Sequence, residues 1–484
     1  MNSNDPLPVS EHPLEVDEDV LRGWLEAATE RILEHTRTLP LQPAGYLGDA
    51  SEDAAALVED VPQEGVPLEL LLDQIFGQCL EKSYNTAGPG YLAYIPGGGI
   101  LQSALADLIA SAINRYTGVW TTAPMLVTLE MNVLRWFIDM VGLPQTARGV
   151  LLSGGSICNA TALATARHEK LGDRSENGVI YLTDQSHHSM GRAAALTGFR
   201  QDQVRIVPSD ASCRMQVGAL KSMVEEDIEA GRRPFFVGAA AGTTNTGAID
   251  PLHELADVGT AHDLWIHADA AYGGFFMLTE SGREALQGLD RADSITLDPH
   301  KGLFLPYGTG ALLVRDGAAL HRAHNVRADY MPALQSEVSG ATHQDFCEHG
   351  PELSRSFRGL RIWLPMKLHG VGAFRDCLQE KIDLARYASG ELQEMEGLKV
   401  LYPPALSLLA FRLEKPGLNR SAENSLNQRL LDGVLARGRV WLTGTMIDGM
   451  FVLRICILSF RTHKDRVDEC LDALREISQE LLSE

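Results

Sequence analysis

The chain has 484 residues, an apolar share of 45 % and a formal net charge of −22 at pH 7. A single hydrophobic core seldom grows past about 250–300 residues, so this length implies two or more domains. The acidity excludes a nucleic-acid groove or an anionic membrane surface as the natural partner, because both would be repelled, and it reads as a solvated surface.

The first 18 positions carry four acidic residues before Glu18 and no basic region, so they are not read as a secretory signal. From Val20 to Thr38, Leu21, Leu25, Ala28, Ile32 and Leu33 recur near helical spacing, and Pro40 and Pro43 close the run. Leu68 to Tyr84 repeats the pattern behind Pro67. Two helices without a sheet of their own must bury their apolar faces elsewhere, and a second subunit is the expected place. Ile100 to Ile113 is apolar, but Gln102, Ser103 and Asp107 interrupt it within a bilayer's thickness, so no membrane span is expected. Ahead of it, Gly88 to Gly99 brackets Tyr91 and Tyr94 with glycine and proline, which reads as a structured loop. Tyr94, Ile95, Pro96 and Gly97 are its candidates for the wall of a substrate pocket, with Gly97 allowing close backbone approach.

From Gly149 the rhythm changes. Short β-like runs at Gly149–Leu152, Val179–Thr183, Val204–Val207, Phe235–Ala239, Leu264–His267, Ser294–Leu297 and Ala311–Val314 alternate with helical stretches such as Asn159–Leu171, Gly218–Ala230 and Leu252–His262. This alternation predicts an α/β domain with a mostly parallel sheet covered by helices on both faces. Past about residue 385 the order loosens into strands at Leu406–Leu413 and Met450–Ile457 and helices near Ser421–Arg437 and Lys464–Leu482, a smaller α+β appendage. The expected division is a helical segment over 1–87, a large domain over 88–385 and a small domain over 386–484. The seven cysteines are scattered and lack CxxC spacing, which suits a reducing, cytoplasmic setting and predicts neither disulfides nor a metal site.

The chemistry concentrates at Asp298-Pro299-His300-Lys301, where a β-like run delivers an amine to a turn. Most lysines are solvated surface charges. Here Pro299, His300, Phe304 and Pro306 crowd the amine, and such surroundings are expected to lower its pKa and make it a nucleophile toward aldehydes, hence a Schiff-base lysine. Three other strand ends supply what a phosphorylated aldehyde cofactor requires. Ser153-Gly154-Gly155-Ser156 opens a helix and offers backbone N–H groups and the Ser156 hydroxyl to a phosphate. His267-Ala268-Asp269-Ala270-Ala271 places a carboxylate 32 residues before Lys301, suited to a pyridinium N–H, with Ala271 leaving room for a flat ring. Thr183 to Ser189 ends another strand, and His187 there is suited to stack on the opposite ring face. The polar turn Gly242 to Gly247 is able to reach the cofactor rim through Asn245.

These motifs, in this order, resemble the group II pyridoxal-phosphate decarboxylases, and among them the aromatic-L-amino-acid branch. The resemblance runs from the N-terminal helices through Phe357-Arg358-Gly359-Leu360-Arg361 to Phe451-Val452-Leu453-Arg454. It implies the fold type I, aminotransferase-like fold, a homodimer with active sites at the interface, and pyridoxal 5'-phosphate as cofactor. It further implies Lys301 as the lysine that holds the aldehyde, Asp269 as the pyridinium partner, His187 and Ala271 on the two ring faces, and Gly155, Ser156 and His300 at the phosphate. The implied reaction is decarboxylation of an L-amino acid, aromatic before acidic, to the amine and CO2. Aminotransferase, aldehyde-synthase and carbon–carbon lyase activities are the alternatives on the same fold. Tyr330, within the polar stretch His324 to Phe346, is the candidate for the family's lid tyrosine that returns a proton to Cα. Ile95 and Gly97 stand where the aromatic branch has an aromatic residue and a threonine, and Gly302 stands where a tryptophan commonly follows the lysine. Both departures are expected to change pocket volume, which leaves the amino acid open.

Overall fold

In the computed structural model, residues 14–325 and 344–484 are described. The seven runs read from the sequence pair into one sheet: β1 Arg148–Leu152, β2 Gly178–Thr183, β3 Val204–Val207, β4 Arg233–Ala240, β5 Trp265–Asp269, β6 Ser294–Leu297 and β7 Gly310–Val314, in the order β1-β7-β6-β5-β4-β2-β3. Every residue of β2, β6 and β7 is buried, because helices lie on both faces and leave no polar side to show. Only β7 runs against its neighbours, with Arg148 opposite Val314 on one side and Ser294 opposite the same Val314 on the other. Since β1 and β6 both oppose β7, β1 runs the same way as the parallel strands. The C-terminal ends of β1, β2, β4, β5 and β6 therefore share one edge, which places the five sequence motifs side by side.

A second, antiparallel sheet follows: β8 Leu398–Tyr402, β9 Leu408–Leu413, β10 Thr443–Ile447 and β11 Met450–Cys456, in the order β10-β11-β9-β8. Leu409, Phe411 and Leu453 from this sheet pack with Leu430 and Val434 of the helix Arg420–Ala436 and Leu474 of the helix Lys464–Ser483 into a second core. A helix over Leu360–Gln393, broken at Gly370, contributes Ile382 to the main core and Leu392 to the second one. Arg454 of β11 fastens the small sheet to the motif-bearing edge of the large one. Its guanidinium donates to the backbone oxygens of Asn245 at 2.8 Å and of Thr244, and to Thr443 Oγ1 at 3.0 Å.

The N-terminal helix Glu18–Thr38 has no buried residue, and Leu21, Trp24, Leu25 and Leu33 lie exposed along it. Arg31 pairs with Asp73 of the short helix Leu68–Asp73, which continues as a π-helical turn over Gln74–Cys79. The helix Leu101–Ile113 likewise exposes Leu101, Leu105, Leu108 and Ile109. Among the described residues, no helix is long and apolar enough to cross a membrane.

Candidate active site

At the end of β6, Asp298 leads into the single helical turn Pro299–Gly302, where proline suits the first position because its missing N–H has no intrahelical partner to lose. The turn brings Lys301 Nζ to 3.0 Å from Asp298 Oδ2. This corrects the expectation of a lowered lysine pKa. Burial alone pushes the ammonium down, but Asp298 and then Asp269 outweigh it, and the pKa lies above its usual value. The sequence reading weighed the apolar neighbours, whereas the group in contact is a carboxylate. Asp298 is 2 % exposed and its other oxygen, Oδ1, has no hydrogen-bond partner. His300 Nδ1 donates to the Thr309 carbonyl at 2.7 Å.

At the end of β5, Asp269 accepts from Asn159 Nδ2 at 3.0 Å through Oδ2 and from the Ala271 N–H at 3.2 Å through Oδ1. Two donors leave lone pairs on this carboxylate for a third. At the end of β2, His187 caps the helix His188–Leu196: its Nδ1 accepts from the Ser189 N–H at 3.3 Å and lies 2.7 Å from Ser189 Oγ. Burial pushes the His187 pKa below its usual value, against the opposing charge of Asp269.

At the end of β1, Ser153 and Gly154 turn the chain into the helix Gly155–Leu171. A Cβ built on Gly155 would stand 3.0 Å from Asp298 Oδ2 and 3.4 Å from the Ala271 methyl. Only glycine leaves this cradle open, at a helix N-terminus whose first N–H groups lack partners. These strand ends enclose one cavity of ≈ 300 Å3, lined among others by Ser153, Gly155, Ser156, His187, Asp269, Ala271, Asp298, His300 and Lys301. A glycine-lined helix start suited to phosphate, small residues at Ala239, Ala240 and Ala271 suited to a flat ring, a carboxylate and an amine together fit pyridoxal phosphate.

Several predicted residues are not brought there. Asn245 turns away, with its side chain reaching Gln185 at 3.4 Å and Thr445 at 3.2 Å; Thr243 and Thr244 line the cavity in its place. Tyr94, Ile95, Pro96 and Gly97 do not line the cavity: Ile95 is buried in the main core, and Tyr94 is 55 % exposed. Gly97 instead lets its backbone pass the His300 carbonyl, which a Cβ would meet at 1.9 Å. Gly302 does not enlarge the cavity either. Its Cβ would point at Phe275, 2.7 Å away, in a separate apolar groove with Phe137 and Leu303. Tyr330 lies outside the described residues.

The sequence reading missed Asn159, Ser189, Asp298 and Tyr272 as lining residues. For Asn159 there was a usable signal. Trp265, His267 and Asp269 alternate along β5 and so share a face, and three polar-capable groups on a buried face demand a polar partner from the helix packed on it.

Comparison with known proteins agrees with this geometry. Residues 52–414 match the family model described as "Pyridoxal-dependent decarboxylase conserved domain". An aromatic-L-amino-acid decarboxylase of Bacillus atrophaeus is 34 % identical over 469 residues, 97 % of this chain and 97 % of that protein. The structure of Catharanthus roseus tryptophan decarboxylase in complex with L-tryptophan superposes with a TM-score of 0.89 at 26 % identity, over 97 % of this chain and 100 % of the other. An Oryza sativa TDC with PLP and tryptamine shares the fold, with a TM-score of 0.91 at 24 % identity over 97 % of this chain and 99 % of the other.

Proposed function

Because the chain belongs to the pyridoxal-dependent decarboxylase family, we propose that it removes the α-carboxylate of an aromatic L-amino acid as CO2 and releases the corresponding amine. The observation that carries this reading is the convergence of Lys301, Asp269, His187 and the Ser153–Ser156 turn on a single cavity. The aromatic class is supported by the relative at 34 % identity. It is also supported by charge. Among the described residues that line the cavity, Lys301 alone bears an ammonium or guanidinium, so a second substrate carboxylate finds no dedicated partner there.

Lys301 would hold the cofactor aldehyde, the N-terminal turn of Gly155–Leu171 with Ser156 and His300 would receive the phosphate, and Asp269 would pair with the ring nitrogen. When bound, pyridoxal phosphate supplies the electron sink that carbon–carboxylate cleavage needs. The chain's own residues set up the conditions for that chemistry. Asp298 keeps the Lys301 proton close by until the amine is needed, at 3.0 Å. Asp269, as an anion already held by Asn159 and the Ala271 N–H, favours a proton on whatever basic nitrogen faces it. His187 packs a flat imidazole along the cavity wall and is kept neutral by burial, which suits stacking and leaves it able to take or give a proton. The apolar faces of Glu18–Thr38 and Leu101–Ile113 are assigned to a second copy of the chain, giving a homodimer.

The test is the purified protein with added pyridoxal phosphate, screened against the common amino acids, dopa and 5-hydroxytryptophan for labelled CO2 and amine without a keto-acid acceptor. CO2 release confined to aromatic substrates is the expected outcome. Amine transfer to a keto acid added in a parallel screen, without CO2 release, would overturn it, and aldehyde with ammonia in place of amine would move the chain to the synthase class.

A further inference from the structure

Behind the cavity, buried polar groups form a hydrogen-bonded chain whose direction is fixed at one end. Trp265 Nε1–H is only a donor, and it reaches Ser294 Oγ at 2.8 Å. Ser294 Oγ also lies 2.8 Å from His267 Nδ1; because the Asn159 nitrogen faces the Asp269 carboxylate and its oxygen faces His267 Nε2, the ring proton is on Nε2 and the Ser294 hydroxyl donates to Nδ1. The pairing of β5 with β6, with His267 opposite Ser294, sets this contact. His267 is fully buried, and burial lowers its pKa to about 4 with only Asp269 opposing, so the ring is neutral and its single proton sits on Nε2. That proton goes to Asn159 Oδ1 at 3.0 Å.

The Asn159 amide is oriented by the carboxylate that its nitrogen faces. Its two N–H bonds are spent on Asp269 Oδ2 at 3.0 Å and on Ser189 Oγ at 3.0 Å. Ser189, having accepted, donates to His187 Nδ1 at 2.7 Å. His187 Nδ1 is therefore an acceptor twice over, from the Ser189 hydroxyl and from the Ser189 N–H at 3.3 Å, and its proton lies on Nε2. Asn159 is 1 % and Ser189 2 % exposed, so water does not compete for these bonds.

We propose that Asn159 is a positioning residue that locks Asp269 and His187 into one directed hydrogen-bonded unit, and so fixes the ionised carboxylate and the Nε2–H imidazole that the chain presents to a cofactor. Rotating the amide would set its oxygen against a carboxylate and its nitrogen against the His267 N–H, so no second arrangement satisfies the group. A change at the buried Asn159 removes the bond to Asp269 directly, whereas a change at Ser189 acts on the imidazole directly and on Asp269 only through Asn159. The consequence for the reaction rests on the function proposed above; the hydrogen-bonded unit does not.

The test uses the full chain with 15N-labelled histidine, first without cofactor. Imidazole nitrogen shifts are expected to show the neutral Nε2–H tautomer at both His187 and His267, and an Nδ1–H tautomer at His187 would overturn the proposal. In the isosteric Asn159→Asp variant a second carboxylate faces Asp269, and loss of a hydrogen bond to a charged group weakens pyridoxal phosphate binding about tenfold or more. The pH profile of the bound cofactor's visible absorbance is expected to move in that variant. Ser189→Ala is expected to change the His187 shifts and to move the absorbance profile less than Asn159→Asp does, an order that general loosening of the core does not produce; an equal or larger move in Ser189→Ala would overturn the role of Asn159. An unchanged Kd and profile in Asn159→Asp would refute the role. Should Asn159→Asp fail to fold, the parent tautomers and Ser189→Ala decide. Should the parent chain bind no pyridoxal phosphate, the function proposed above falls while the tautomers still judge the unit.

Discussion

Replacing Asp298 by asparagine removes the charge that faces Lys301 while keeping its shape. The amide oxygen takes the place of Oδ2, 3.0 Å from Lys301 Nζ, and the amide nitrogen takes the place of Oδ1, which has no partner in the parent chain either. A hydrogen bond to a charged acceptor is worth about 1.5–3 kcal/mol and a neutral one about 0.5–1.5, so the ammonium loses about 1–1.5 kcal/mol of support. The titration of Lys301 therefore falls, though only in part because Asp269 still opposes burial. The direction also fixes the linkage. The raised Lys301 pKa contributes stability below its unfolded value of 10.5 that is lost as pH rises through the folded value, so the variant loses part of this at neutral pH and shows a flatter alkaline limb. The assay is competitive acylation of the cofactor-free protein across pH, with Lys301 read by peptide mass spectrometry. A labelling curve at the same or a higher pH in Asp298→Asn would refute the reasoning.

Gly155→Ala places a methyl 3.0 Å from Asp298 Oδ2 in the cradle; overpacking of about 1–3 kcal/mol is expected to appear as roughly tenfold or greater loss of pyridoxal phosphate affinity by equilibrium dialysis, with little change in thermal unfolding of the cofactor-free protein. Glu130, fully buried, accepts from Arg355 and from the Gly359 N–H at 3.0 Å, and Glu130→Gln leaves a buried guanidinium without its counter-charge. A loss of about 3–5 kcal/mol is expected, seen as a lower urea midpoint at unchanged m-value. His267 and His349, both buried, titrate at about 4 instead of 6.5, each contributing on the order of 3 kcal/mol that is present above pH 6.5 and lost as pH falls through about 4. His349→Asn is expected to make that acid limb less steep by about one proton in stability-against-pH measurements.

The large sheet was legible because most of its strands are buried on both faces and read as largely apolar runs; the edge strand β3, with Arg205 and an exposed Ile206, is the exception. The small sheet was only half legible. β10, Thr443–Ile447, is polar and partly exposed along most of its length, so its pattern is weak, and the stronger sign was the turn beside it. Asp448 and Gly449 take φ of 49° and 74° between β10 and β11, a two-residue hairpin of the kind that Asp-Gly announces. Leu360–Gln393 was hidden by Pro365 and Gly370, which read as breakers and do break the helical geometry at Gly370. In the site, Lys301, Asp269, His187 and the Gly155 turn were visible because strand-end chemistry has a local signature. Asn159 and Asp298 act through partners 110 positions away and three positions away, respectively. The first is signalled only at a distance, by the polar groups alternating along β5, and the second was read only as scenery for the lysine.

The pairing of β1 has a consequence for how the protein is made. Its one neighbour in the sheet is β7, and Gly310, opposite Leu152, follows it by 158 positions. At about 5–20 residues per second, a ribosome needs on the order of 8–30 s between delivering the two. For that interval the strand that leads into Ser153 to Ser156 has a naked edge, and the cradle it ends in waits for the last strand of the sheet. A chain truncated before Gly310 therefore keeps the glycines of that turn in its sequence but lacks the strand against which they are set, and presents an edge open to self-association.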